Sequence, residues 1–210
     1  MPLSAVRRFL KPPDPAKIPD FPRSKLIVQT VVTLAFLGIL AIFYARAVGV
    51  DLFAHWRFNL ISVLAGIGTL VLVIAARKML YKWLIADPRR KPSKIIPKTW
   101  DELPSWIIVS ASAGFWEELV YRGTLYKFVA YYANSFTIAF VVSCLAFAAV
   151  HLYQGVRGFL FILGLAVVIQ WLVNFTGTLY IAMAAHFIYD VIVGILKILE
   201  EKKGLIDAPT

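Results

Sequence analysis

One cysteine, Cys144, is all the thiol chemistry this chain has, so neither an intramolecular disulfide nor a thiolate metal cage can form. Charge is scarce as well. Asp, Glu, Lys and Arg make up 16% of the residues, against about 25% in an ordinary soluble domain. A His-Glu-x-x-His helix is missing, which removes the familiar zinc-protease geometry. No internal repeat and no pair of Gly/Pro-broken helices is visible, so the usual signature of a secondary transporter is absent too. Nothing resembling a nucleic-acid recognition fold accompanies the basic residues, and no nucleic-acid partner is expected.

What is present is apolar. Hydrophobic residues reach 60% and the mean hydropathy is +0.75, and apolar runs near twenty residues recur along the chain. Each is long enough for a membrane helix. The expectation is an all-α, polytopic transmembrane bundle with about six spans, near 25–48, 59–84, from 105 onward, 136–153, 158–174 and 177–197. Residues 1–24 read as a Pro-rich basic tail, 25–198 as the membrane domain and 199–210 as a second tail. Ala45-Arg46-Ala47 resembles a signal cleavage site. The apolar run before it, Leu26 to Tyr44, exceeds the usual 7–15 residues of a signal core, so it reads as a retained first span.

The net charge of +10 is uneven. Residues 77–98 carry eight basic side chains against Asp87 alone, and residues 1–25 carry six against Asp14 and Asp20. By the positive-inside rule both segments, and both chain ends, are cytoplasmic, where anionic lipids are their expected partners. Asp51, His55, Trp56 and Arg57 would then form a short loop at the outer interface. A bacterial or archaeal cell membrane is the expected location.

Against this background Glu117 and Glu118 stand out. A carboxylate at the centre of a membrane helix costs about 2.5–3.5 kcal/mol on insertion scales, so an adjacent pair needs a reason. Glu118 and Arg122 are spaced i, i+4 and can pair, whereas Glu117 is rotated about 100° away. Phe147 and His151 share the i, i+4 spacing, and so do His186 and Asp190. If the glutamate helix ended near Arg122, Glu117 and His151 would sit at opposite faces of the bilayer. If it continues to a turn at Asn134-Ser135, Glu117 lies 17 residues before Asn134 and His151 lies 17 after it. At ~1.5 Å per residue both are then ~25 Å from that turn, with His186 and Asp190 at ~14 and ~20 Å below theirs. The longer helix is therefore the expected one, with a shared site in the cytoplasmic half.

These residue types permit hydrolysis. A carboxylate in a poorly solvated site is a competent general base toward water. Two imidazoles and carboxylates also suit zinc or another divalent metal with an open position for that water, and Glu117, His151, His186 and Asp190 are the donors for such a site. A metal-free route uses the same residues.

The ordered set Glu117-Glu118-x-x-x-Arg122, Phe147-x-x-x-His151, His186-x-x-x-Asp190 resembles the three-motif signature of CPBP intramembrane proteases, a family that includes type II CAAX prenyl endopeptidases and bacteriocin-processing, Abi-like proteins. Tyr121-Arg122-Gly123 and Thr176-Gly177-Thr178-Leu179-Tyr180 fit the same pattern, and the similarity covers residues 105–195. It implies an endopeptidase acting on a membrane-associated protein or peptide, with Glu117 activating water aided by His151. It further implies that Glu118, with Arg122, supports the site, and that His186 and residue 190 bind the oxyanion or a metal. Position 190 is often Asn in CAAX endopeptidases. An ionised Asp190 cannot donate to an oxyanion, so it must be protonated, ligate a metal or orient His186. A non-catalytic scaffold or immunity protein of the same fold and a proton-coupled transporter are the alternative readings.

Overall fold

The computed structural model describes residues 21–53, 59–86 and 93–206. The expected outer-loop residues His55, Trp56 and Arg57, most of both tails, and positions 87–92 of the basic connector lie outside that range. Among the described residues the chain is helical and forms a polytopic bundle.

The helices are α1 (Arg23–Ala47), α2 (Leu60–Ile85), α3 (Leu103–Glu118), α4 (Tyr126–Ala133), α5 (Phe136–Ala149), α6 (Val156–Thr176) and α7 (Leu179–Ile206). Four of them, α1, α2, α6 and α7, are long and apolar enough to cross a membrane, and α5 is a shorter apolar helix. Large side chains such as Val28, Phe36, Phe43, Leu60 and Met79 are exposed around the bundle. In water such an apolar belt would drive association; in a bilayer it is the lipid-facing surface.

The long glutamate helix expected between residues 105 and 133 is present, but it is not uniform. Between α3 and α4 a π-helical segment, Leu119–Leu125, keeps the path continuous. There the Tyr126 N–H bonds the carbonyl of Tyr121, five residues back. π-Segments of this kind are rare and recur at functional sites. Asn134 ends α4 in the left-handed region at φ 46°, and the Ser135 hydroxyl caps α5 by accepting from Ile138 N–H at 3.3 Å.

Three boundaries differ from expectation. Helix α5 stops at Ala149, so His151 belongs to the tight turn that follows, through Leu152–Gln154 to Gly155. Gly155 at φ 87° then reverses the chain, and Phe159 N–H bonds its carbonyl at 2.9 Å, which starts α6 at Val156. Arg157, expected between spans, is therefore helical. The third difference is α7, which runs to Ile206, past the expected boundary at 198. Lys197 pairs with Glu201 at 2.7 Å and with Glu200 at 3.9 Å, the i, i+4 and i, i+3 contacts that support a charged helix in water. The Tyr81 hydroxyl ties this extension to α2 by donating to Glu200 at 2.8 Å.

The tightest helix pair is α3 against α7. A Cβ on Gly114 would fall 2.9 Å from the Phe187 backbone nitrogen and 3.0 Å from the Met183 carbonyl oxygen. The two backbones touch there because residue 114 has no side chain. Nearer the basic end, Gly194 leaves room for the Trp106 indole, whose Nε1 donates to the Asp190 carbonyl at 2.8 Å. The two glycines thus set both the distance and the register between α3 and α7.

Gly114→Ala is expected to force this pair apart, at about 1–3 kcal/mol, read as a lower Tm of the detergent-purified protein. Gly164→Ala, where an added Cβ meets nothing within 4 Å, is the matched control and should be neutral or slightly stabilising. Equal Tm values for the two variants would contradict the close approach.

Candidate active site

Glu117 and Glu118 end α3, three and four residues beyond Gly114, so the contact that lets α3 touch α7 also delivers both carboxylates to α7. Glu118 is fully buried with Arg122, whose Nη1 lies 3.3 Å from Glu118 Oε1. Both side chains have 0% exposure. The Arg122 guanidinium carbon also sits 4.1 Å from the centroid of the Phe147 ring, a cation–π contact that helps carry a charge away from water. The i, i+4 pairing read from the sequence is therefore present.

The same Glu118 oxygen has a second partner that sequence reading missed. His186 Nδ1 lies 2.7 Å from Glu118 Oε1. With Glu118 ionised beside Arg122, the ring nitrogen is the donor, which fixes the imidazole plane and directs Nε2 away from the pair. Nε2 is 3.6 Å from Asp190 Oδ2 and 4.0 Å from Glu117 Oε2. Asp190 therefore faces Nε2, and the residue that orients His186 through Nδ1 is Glu118. No sequence signal pointed to this contact: it joins residues 68 positions apart and depends on the α3–α7 packing.

Burial separates the roles further. Glu118 and Arg122 are sealed and His186 is 7% exposed, whereas Glu117 and Asp190 keep 16% and 21% of their side chains accessible. The accessible atoms face a cavity of about 270 Å³ lined by Glu117, Phe147, His151, His186 and Asp190. Its wall continues to Ile85, Ser93 and Gln154, at the end of the bundle that carries the basic connector. His151 lies in the turn after α5, held there because its Nδ1 donates to the Phe147 carbonyl at 2.9 Å, and its ring packs on Phe147 at 5.0 Å between centroids. Phe147 also meets the His186 ring edge-on at 6.1 Å. The structure thus brings all the expected site residues to one place, with Phe147 in the cavity wall and Glu118 and Arg122 behind it.

Further residues emerge only from the fold. Tyr153 stacks on His151 and accepts from Gln154 at 3.2 Å at the cavity edge. Ser143, on α5, donates to the Tyr121 carbonyl at 2.9 Å and fastens the π-segment that carries Arg122. An isolated Ser or Tyr in an apolar helix carries no sequence signature of such a role. A second groove, of about 680 Å³ between α2 and α6, is lined by residues such as Leu64, Leu72, Val168 and Trp171 and holds no ionisable group, so it offers no acid–base chemistry.

The donors expected for zinc or another divalent ion do not form a ligand cage in this arrangement. Among the described residues no group of three or more His, Cys, Asp or Glu is placed to hold a metal ion. Nδ1 of His186 and Nδ1 of His151 are engaged by the Glu118 carboxylate and the Phe147 carbonyl, which leaves Nε2 of each as its remaining donor or acceptor.

Residues 99–192 match the model of the family described as type II CAAX prenyl endopeptidase Rce1-like. That segment of the chain is similar to an Rce1-like core. The matched segment contains Glu117, Glu118, Arg122, Phe147, His151, His186 and Asp190, so the CPBP resemblance read from the three motifs is shown. At 28% identity the chain is also similar to the uncharacterized protein YpbD of Bacillus subtilis (strain 168), over 73% of this chain and 82% of that protein. No solved structure matches the chain. The similarity of residues 99–192 to a membrane protease family and the apolar helices of membrane length fit an integral membrane protein.

Removing either member of a buried ion pair leaves an uncompensated charge, a loss of about 3–5 kcal/mol. Arg122→Ala is therefore expected to lower Tm strongly, whereas Glu117→Gln, at a cavity-facing position, should change it little. Thermal melts of the two purified variants check this, and an Arg122 variant as stable as wild type would contradict the pairing.

Proposed function

We propose that this chain is an intramembrane endopeptidase that hydrolyses a peptide bond of a membrane-associated protein or peptide. The observation that carries the reading is the Glu118–His186 hydrogen bond, because it aims His186 Nε2 into the cavity that Glu117 also faces. A general base and a hydrogen-bond donor then flank one space, as hydrolysis of an amide requires.

In this mechanism the Glu117 carboxylate takes a proton from a water molecule as the water oxygen attacks the scissile carbonyl carbon. The carbonyl oxygen becomes an oxyanion and accepts a hydrogen bond from protonated His186 Nε2, whose charge Glu118 balances through Nδ1. Collapse of the tetrahedral intermediate breaks the C–N bond, and the departing nitrogen receives the proton held by Glu117. Asp190, facing the same Nε2, keeps the imidazole protonated between turnovers. His151 completes the cavity wall beside the water. The cavity wall reaches the end bearing the basic connector, which by the positive-inside rule supports a mouth on the cytoplasmic side, with the basic segments against anionic headgroups.

Glu117→Gln should reduce cleavage of membrane-tethered peptides in proteoliposomes by about 10²–10⁴-fold with the fold intact. Retained proteolysis would sink the assignment, and a cellular phenotype insensitive to both Glu117→Gln and His186→Ala would favour a scaffold or immunity protein. Proton flux in the same vesicles, lost with Glu117→Gln, would favour the transporter. Turnover is expected to survive exhaustive chelation; loss on chelation with recovery on adding zinc would move the chemistry to a metal.

A further inference from the structure

Among the described residues, the cavity wall holds one cation that the hydrolytic mechanism does not use. Arg77, on α2, lines the same cavity as Glu117 and Asp190. Its guanidinium carbon lies 5.9 Å from the centroid of the Tyr81 ring. It makes no hydrogen bond or ion pair with another described residue. A half-buried guanidinium with its fork of N–H donors unspent is suited to a planar, two-oxygen anion.

Its position along the cavity is defined by the neighbouring helix. Thr69 and Val73 of α2 share a small cleft with His186 and Tyr189 of α7, which sets those turns level with one another. Arg77 is four to eight residues further along α2, or ~6–12 Å toward the basic end. An extended peptide rises ~3.3 Å per residue, so two to four residues of substrate span that interval. A carboxylate placed closer would meet Glu117 and Asp190 and be repelled.

We propose that Arg77 is a specificity-determining residue that grips a carboxylate of the substrate two to four residues from the scissile bond. The proposal rests on the endopeptidase reading of the site. The carboxylate belongs either to the peptide's C-terminus or to an Asp or Glu side chain.

The test uses N-decanoylated peptides of mixed sequence, made as C-terminal acids and as amides, in phosphatidylcholine vesicles. Binding is measured on Glu117→Gln protein, and cleavage by mass spectrometry on wild type. Acids should bind about 10-fold tighter than amides or better, as expected for a charge-assisted contact. Adding Arg77→Gln should reduce that preference to under about 2-fold, with Arg77→Lys intermediate. Amidated peptides that regain Arg77-dependent binding when an Asp or Glu is placed two to four residues from the cleavage position would locate the carboxylate on a side chain. Equal or absent binding of acids and amides, or a preference that survives Arg77→Gln, overturns the proposal. So does an Arg77 effect seen only on adding phosphatidylglycerol, which would make Arg77 a headgroup contact. Cleavage without acid preference counts against Arg77 alone, and acid preference without any cleavage counts against the endopeptidase reading alone.

Discussion

One Glu118 oxygen holds two partners that come from different parts of the chain, Arg122 on its own helical path and His186 on α7. Everything else in the site is arranged around that shared acceptor. A carboxylate removed from water is tolerable only with its charge balanced and its lone pairs engaged. Arg122 supplies the charge, Phe147 shields the guanidinium, and His186 becomes the fixed donor. Because Nδ1 is held, the other face of the imidazole has a single direction, and that direction is the cavity. Glu118 is sealed and fixes the imidazole, whereas Glu117 reaches the cavity, although the two residues are adjacent in sequence.

The fold around this contact works by close approach. In a bilayer, helices gain little from hiding apolar surface from one another, since the lipid is equally apolar, so packing of small residues and interhelical polar contacts must hold them. Gly114 lets α3 and α7 touch, Gly194 admits the Trp106 indole, and the Trp106–Asp190 hydrogen bond fixes the register. The π-segment after Glu118 belongs to the same arrangement. It reshapes the helix where Arg122 must point back toward Glu118, and Ser143 fastens the Tyr121 carbonyl within it. An uninterrupted α-helix would carry residues 119–125 in a different rotational phase.

Much of this was legible in the sequence. Apolar runs of membrane length reveal a helical bundle because backbone polar groups in lipid must be satisfied within the segment. The depth argument linking Glu117 to His151 required a helix that continues past Arg122, and a continuous path to Ala133 is what forms. The i, i+4 rule identified Glu118 and Arg122 as partners and left Glu117 for other work. Boundaries fared less well. His151 sits in a turn instead of a span, because Gly155 reverses the chain earlier than the apolar pattern indicates, and α7 continues to Ile206 because its charged turns pair with one another. Hydropathy reports where lipid ends; it does not report where a helix ends.

The sequence by itself determined the class of the molecule, the pairing within each helix and the residue types available for chemistry, since these follow from composition and from the 3.6-residue period. The tertiary structure alone decided that His186 Nδ1 is held by Glu118 while Nε2 faces Asp190 and the cavity. It also decided that Arg77 shares the cavity. The physical reason is common to all of these. Each depends on the distance and rotation between two helices, which are set by contacts such as Gly114 against Phe187 that lie tens of residues apart in the chain and leave no periodic trace in it.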